Sequence, residues 1–321
     1  MKINKLFLKA YRLLGLVSII ALVCTSCKSK TDRHSDTPTT GSIQISVDET
    51  FQPIIESEIP VFESIYQQAK ITPIYETEVD AFKHLLQDSV RLIVVSRELT
   101  MKEREYFASK QFLPKQLKIA LDGVAIITHK SNPDTLLTME QLRKILIGEI
   151  TTWKKINPKS KLGPLKVVFD NKNSSTVRFV VDSITHTGNL GSNLAALEHN
   201  KDVLEYVKKT PNSIGLIGVS WISDPADSTA LSFLKSVKVM SISREDIAEE
   251  RNSFQPFQAY INDGRYPLTR SVWMVNSDPR MGLSTGFLSF VSSERGQRII
   301  LKTGVMPSTM PVRVIKLKDG L

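Results

Sequence analysis

Residues 168–179, Val168-Phe169-Asp170-Asn171-Lys172-Asn173-Ser174-Ser175-Thr176-Val177-Arg178-Phe179, run from an apolar strand through a polar turn into an amphipathic helix. Val177, Val180, Val181 and Ile184 keep the i, i+3, i+4, i+7 spacing of one buried helical face. A strand that feeds a helix through small polar residues leaves the first-turn N–H groups unpaired, with the positive end of the helix dipole behind them. Ser174, Ser175 and Thr176 add hydroxyl donors there, and Arg178 supplies charge if its side chain folds back. A single hydroxyl at this place caps the helix for about 1 kcal/mol. Three exceed what one cap needs, so capping and anion binding both stand as readings of the segment.

Strand and helix signals alternate on either side of it. Ile43-Gln44-Ile45-Ser46-Val47 alternates as a strand; Ile55, Ile59, Phe62 and Tyr66 share one helical face, in a helix that Pro60 should kink. Ile71 to Tyr75 reads as a second strand, Phe82, Leu85 and Leu86 as a short helix, and Leu92 to Val95 as a buried third strand. Asp122 to Ile127 is a β-rich run long enough to cross between domains. Beyond it come a helix through Met139, Leu142, Ile145 and Leu146, the strand Leu165 to Phe169, a helix marked by Val203, Tyr206 and Val207, the strand Ile214 to Val219, and a helix around Phe287 to Ile300. This alternation predicts an α/β fold with a mostly parallel sheet covered on both faces.

The N-terminus reads differently. Lys2, Lys5, Lys9 and Arg12 precede the apolar run Leu13 to Val23, the charged and apolar parts of a secretory signal too short for a transmembrane span. Cys24-Thr25-Ser26-Cys27 resembles a bacterial lipobox, which predicts a signal over 1–26 and lipidation of Cys27; Cys24 stands where Leu is usual. A conventional signal followed by an ordinary cysteine is the alternative. Removal of 1–26 lowers the formal charge from +9 to +5, so much of the basicity belongs to the signal. Both cysteines lie at this junction, and the body of the protein has none with which to form an internal disulfide. Residues 27–42, polar with Pro38 and Gly41, read as a flexible tether.

Several chemistries find no support. Neither a P-loop nor a His-Glu-x-x-His motif occurs, so an enzyme is not expected. His34, His84, His129, His186 and His199 are scattered without ligand spacing, and neither a metal nor a cofactor is expected. Basic residues are interspersed with acidic ones and do not alternate with aromatics, which argues against nucleic acid. Trp153, Trp221 and Trp273 adjoin apolar runs and read as core.

From about Gly41 onward the chain resembles the phosphate-binding members of the periplasmic solute-binding protein superfamily, the PstS-like lipoproteins. Thr50-Phe51 with Pro53 is similar to the family's first anion-contacting turn, Ser96-Arg97-Glu98-Leu99-Thr100 to its Ser-Arg segment, and Asp122-Gly123-Val124-Ala125 to its domain crossover. Gly148 to Trp153, Ser174 to Phe179, Ile214-Gly215 and Tyr266-Pro267-Leu268-Thr269-Arg270 follow in the family's order. The resemblance implies a two-lobed type II periplasmic binding protein fold, with mixed, mostly parallel sheets and two crossover strands. One lobe would combine 41–125 with 220–321; the other would be 126–219. It implies ligand contacts from Thr50, Thr77, Ser96, Arg97, Ser174, Ser175 and Thr176, with Arg178 as a second charge. It also implies a monomer at the bacterial cell envelope that captures phosphate or a related oxyanion by hinge closure, for an ABC permease.

Departures from the family pattern fall at the site itself. Asp48 and Glu49 stand where small residues are usual, Glu76-Thr77-Glu78 stands where Gly-Ser-Gly is typical, Asp170 replaces an arginine, and Ser175 a glycine. Two unit charges about 4 Å apart at an effective dielectric near 20 repel by about 4 kcal/mol, roughly three decades of affinity. Any of these acids that points at the ligand therefore opposes a dianion. Three readings stay open: oxyanion capture for uptake, an altered acidic cleft for another small solute, and an envelope lipoprotein that contacts other proteins without transport.

Overall fold

The long strand Lys115–His129 organises the fold, because its two halves pair with different sets of strands. The computed structural model describes residues 36–223 and 233–309; the expected signal, Cys27 and the start of the tether lie outside the described residues.

In chain order the strands are β1 Gly41–Asp48, β2 Ala69–Glu76, β3 Leu92–Val95, β4 Lys115–His129, β5 Leu136–Thr138, β6 Lys166–Phe169, β7 Leu194–Ala196, β8 Ser213–Gly218, β9 Val237–Val239, β10 Ser241–Ser243, β11 Ser253–Phe254, β12 Thr269–Asn276 and β13 Met306–Pro307. The helices are α1 Gln52–Ile65, α2 Glu78–Leu86, α3 Met101–Ser109, α4 Met139–Leu146, α5 Ser175–Val180, α6 Asn200–Lys209, α7 Gln258–Asn262, α8 Leu283–Ser292 and α9 Glu294–Lys302. The sheet runs β2-β1-β3-β12-β4-β8-β6-β7, with β13 and β9 also on β4. β1, β2 and β3 are parallel to one another, as are β6, β7 and β8, while β4 and β12 run antiparallel to their neighbours. The result is a two-lobed mixed α/β fold.

Alternation along β4 shows why a continuous apolar run can be a strand here. Val124 and Ile126 enter one apolar cluster with Leu142, Trp153, Val167 and Leu216; Ala125 and Ile127 enter another with Phe51, Phe62, Val94 and Phe287. Both faces are covered, so both sets of positions are apolar. The core residues lie between Ile45 and Met306, within a unit that runs from Thr37 to Leu321 and so carries its own core.

Local chemistry sets the helix boundaries. Thr77, Thr100, Thr138, Ser174 and Ser293 each cap a helix start by accepting from a backbone N–H in its first turn. Ser293, extended at φ −71° and ψ 166°, splits the expected helix around 287–300 into α8 and α9. The helix after Ser174 is shorter than its apolar spacing predicts, because α5 gives way at Val181 to a π turn over Val181–Thr185. α1 continues through Pro60. At the other end of the unit, Thr37 bridges Thr40 and β1 already begins at Gly41. Gly286 of α8 lies so close to the Pro38 carbonyl that a Cβ would meet its oxygen at 1.8 Å. Residues 37–42, expected to be part of the tether, are thus packed on the body. The segment 237–254, expected with the first lobe, pairs with the distal half of β4 and with β5.

One core residue breaks the apolar rule. Glu58 of α1 is fully buried, neither carboxylate oxygen has a hydrogen-bond partner among the described residues, and burial pushes its pKa up to about 9. The folded state therefore holds a proton that the unfolded chain releases near its ordinary value of 4.5. The associated stability is complete below that value and is lost progressively as pH rises toward about 9. Glu58→Met should raise stability at neutral pH by about 2 kcal/mol, several degrees in Tm, and flatten the decline in Tm from acid to alkaline pH. Calorimetric melts across that range check this; a lower Tm for the variant at neutral pH contradicts it.

Candidate functional site

The C-terminal ends of the parallel strands β1, β2, β3, β6 and β8 bring the chemistry together, as expected for open α/β sheets. Asp48 closes β1, and its Oδ1 accepts the Thr50 N–H at 3.0 Å at the start of the 3-10 turn Glu49–Phe51. Asp170 follows β6. Its Oδ1 accepts the Ser174 hydroxyl at 2.6 Å, and its Oδ2 accepts from Asn200 Nδ2 at 3.2 Å and from Thr50 Oγ1 at 3.4 Å. Ser175 and Thr176, both buried, receive Arg270 Nη1 at 3.0 and 3.4 Å.

Arg270 comes from β12 and sits opposite Asp122 of β4 in the antiparallel register. Its Nε donates to Asp122 Oδ2 at 3.0 Å, with the two side chains only 4% and 1% exposed. The guanidinium lies 5.2 Å from the Phe51 ring centroid. Gly218, ending β8, is packed closely against this pair: a Cβ there would stand 2.9 Å from Thr50 Cγ2, 3.4 Å from Asp122 Oδ2 and 3.5 Å from Arg270 Nη2, so a side chain would not fit without a shift. That Nη2 has no hydrogen-bond partner among the described residues, and neither has Asp48 Oδ2.

A second ion pair joins the same region. Glu78, in the first turn of α2, accepts Ser96 N–H at 2.8 Å and Ser96 Oγ at 2.6 Å through Oε2, and Arg178 Nε at 2.6 Å through Oε1. Arg178 Nη2 donates to Ser96 Oγ at 2.6 Å, while Nη1 pairs with the more exposed Asp182 at 3.0 Å.

Asp48, Glu78, Asp122 and Asp170 thus share a buried region with Arg178 and Arg270, so acids outnumber bases there. Burial favours the protonated form of three of these acids. Burial pushes Asp170 up to about 7, helped by Asp48 and opposed by its hydrogen bonds with Ser174 and Asn200. Burial pushes Asp48 up to about 6, helped by Glu78 and opposed by Arg270. Asp122 is also raised by burial, against the pull of Arg270. Burial acts on Glu78 in the same sense, yet Arg178 and the Ser96 donors outweigh it and hold its carboxyl below the ordinary range.

The expected contacts divide clearly. Thr50, Ser96, Ser174, Ser175, Thr176 and Arg178 are brought together, and among the acids Asp48, Glu78 and Asp170 point inward. Arg97 turns away: it makes a two-point contact with Glu103 at 2.8 and 2.9 Å and stacks 3.6 Å from the Phe82 ring centroid. The Thr77 hydroxyl is used by Asp80, whose N–H it caps and whose carboxylate it meets at 2.7 Å. Glu76 accepts from Ser46 and lies 2.8 Å from His84 Nδ1; Glu49 contacts His199 and the Asn200 N–H. Asp122, Gly218, Asn200 and Arg270 belong to the site although they were not among the expected contacts. Their signal was positional: Asp122 is a carboxylate inside an apolar run, and Arg270 stands at an inward position of an alternating strand.

A family model described as PBP superfamily domain matches residues 32–295. The chain is 26% identical over 275 residues to the phosphate-binding protein PstS of Borreliella burgdorferi, an alignment covering 82% of this chain and 89% of the relative. It is 25% identical to that of Staphylococcus saprophyticus, covering 80% and 77%. Among solved structures, a Clostridium perfringens protein with bound phosphate aligns at a TM-score of 0.70 and 23% identity, covering 83% of this chain and 99% of the other. An ABC-type phosphate transport receptor from Vibrio cholerae aligns at 0.62 and 20% identity, covering 84% and 100%. At these identities the structural matches establish the fold.

The buried pair gives a direct prediction. Arg270→Met leaves Asp122 without its partner and should cost about 3–5 kcal/mol of stability, whereas Asp122→Asn combined with Arg270→Met should recover most of it. Urea unfolding of both variants and the parent checks this; equal midpoints for single and double variants contradict it.

Proposed function

This chain belongs to the PBP superfamily, and from that premise we propose that it is a solute-binding lipoprotein of the bacterial cell envelope, anchored through Cys27, that captures phosphate or a related oxyanion between its lobes for ABC-type uptake. The similarity to PstS proteins supports the class of solute. The observation that carries the reading is Arg270: a buried guanidinium beside the Ser175 and Thr176 hydroxyls, whose Nη2 has no acceptor among the described residues. A small oxyanion supplies such an acceptor. Among the described residues no helix is long and apolar enough to cross a membrane, so on this reading the lipid holds the protein in place. The chain acts as a monomeric binder, not an enzyme.

On the same reading the first lobe is built on β1, β2, β3, β12, β13 and the proximal half of β4. The second lobe takes the distal half of β4 and β5 to β11, and so extends past residue 219. Arg178, the α5 hydroxyls and Asp170 then face Glu78, Ser96, Thr50 and Arg270 across the cleft.

The acids set the conditions for binding. Asp48 and Asp170, with pKa values near about 6 and about 7, are neutral in mildly acidic solution and can donate to an oxyanion; above those values they become charges that repel it. Oxyanion affinity should therefore fall as pH rises from about 5.5 to about 8, and Asp170→Asn should reduce that fall. Sulfate, whose charge is constant over this range, is the clean probe beside phosphate and arsenate. Calorimetry and thermal shift on the chain from Lys28 onward test this, since ligand at about 100 times its Kd adds about 2.7 kcal/mol. No heat and no shift with any of the three anions at either pH rejects oxyanion capture.

A second reading rests on a specific observation: Glu78 and Asp170 already engage the donors of Ser96, Arg178 and Ser174. If these contacts persist in the presence of every anion, the cleft is sealed and the chain works as an envelope lipoprotein through its surface.

A further inference from the structure

The donor set around Glu78 has the composition of a small-oxyanion site. One backbone N–H and one hydroxyl from Ser96 converge on Oε2 at 2.8 and 2.6 Å, and the Arg178 guanidinium reaches Oε1 at 2.6 Å and Oε2 at 3.5 Å. Ser96 Oγ both donates to Glu78 and accepts from Arg178 Nη2 at 2.6 Å, so the three groups form a closed ring of hydrogen bonds. Glu78 is 3% exposed and lies on α2, whereas Arg178 lies on α5, one hundred residues away in sequence. A surface ion pair is worth little, but this one is shielded and fixed at two atoms of each partner.

We propose that Glu78 is a tethered anion: its carboxylate occupies the Ser96 and Arg178 donors, ties α2 to α5 in the absence of solute, and competes with an oxyanion for the same groups. The competition rests on the oxyanion reading; the tie does not. Arg178 cannot serve an exogenous anion fully while Glu78 holds Nε and Ser96 takes Nη2. The solute must either displace the carboxylate or bind beside it, using Arg270, Ser175 and Thr176 alone. Glu78 thus lowers affinity for anions and favours the closed arrangement before any solute arrives, because a group within the chain is present at high effective concentration.

The two halves of the proposal have separate readouts. The chain from Lys28 onward contains no cysteine, so Lys102→Cys and Lys172→Cys, both at exposed positions, accept spin labels on α3 and ahead of α5. Double electron–electron resonance in anion-free buffer should show a single short separation for the parent and an added longer one for Glu78→Gln. Calorimetry should show Glu78→Gln binding phosphate about tenfold or more tighter than the parent. Arg178→Met should lengthen the separation equally but gain no affinity, since it removes the tie together with the charge. Should Glu78→Gln fail to fold, Glu78→Asp, which withdraws the carboxylate by one methylene, replaces it and is expected to lengthen the separation too. Unchanged separations in a folded Glu78 variant overturn the tie. Opening without tighter phosphate binding, where the parent does bind phosphate, overturns the competition. Opening in variants when neither they nor the parent bind phosphate, sulfate or arsenate upholds the tie and removes the oxyanion reading instead.

Discussion

The ion pair between Asp122 and Arg270 is the constraint on which the rest of the site depends. It joins β4 and β12 at a hydrogen-bonded register position, one residue before the Gly123–Val124 step where β4 passes from one set of neighbours to the other. The desolvation of two nearly fully buried charges is costly, and one hydrogen-bonded contact between them repays it only in part. Hydroxyls from Ser175 and Thr176 satisfy a further part of the guanidinium, so α5 is positioned by the same arginine that the central strands hold. Replacement of a buried ion pair by well-packed apolar residues is often neutral or stabilising, so stability alone does not account for it. The pair is better understood as fixing Arg270 in a single orientation, close against Gly218 and the α5 hydroxyls.

Around this arginine the acids form a graded set. Glu78 has strong donors and stays ionised; Asp48 and Asp170 have weaker ones and hold protons to about 6 and about 7; Asp122 is raised despite its partner. Burial raises all four, and in Glu78 alone do the donors and the guanidinium outweigh it. Glu78 receives an N–H, a hydroxyl and a guanidinium, whereas Asp170 relies on two hydroxyls and an amide, and one Asp48 oxygen has no partner among the described residues. A region with this composition changes charge in steps near neutrality, which makes the field met by an entering solute a function of pH. The Arg178–Glu78 pair persists through those steps, because Glu78 titrates below the range in which the two aspartates change.

Much of the fold was legible because its signals are local. Buried strands such as Leu92–Val95, the parallel order implied by alternation, and the cap at the hydroxyl-rich turn, Ser174, all follow from spacing and side-chain chemistry. What failed to show was decided by backbone conformation or by partners distant in sequence. Ser293 breaks the last helical run through its own extended backbone, and Pro38 settles on α8 because Gly286 offers no side chain to block it. In the site, the hydroxyl-rich turn announced itself, but Arg97 was drawn off by Glu103 and Phe82, partners whose competition no spacing reveals. Arg270 was visible only as a charge at an inward strand position. Its importance depends on the register that sets Asp122 opposite it and on the loop that delivers Ser175 from ninety-five residues away.

The balance between an internal and an external anion finally becomes a matter of populations. A site that spends most of its time occupied by its own carboxylate binds a solute with an apparent Kd raised by the reciprocal of the free fraction. On the proposed reading Glu78, held at two atoms by Ser96 and Arg178, keeps that fraction small, whereas Arg270, with its Nε on Asp122, keeps an Nη2 that has no acceptor among the described residues. A bound oxyanion would therefore first engage Arg270, Ser175 and Thr176, and would recruit Arg178 only as Glu78 lets go. On the proposed reading, Arg270 with one donor still open and Arg178 withheld by Glu78 would separate capture of an anion from full closure around it.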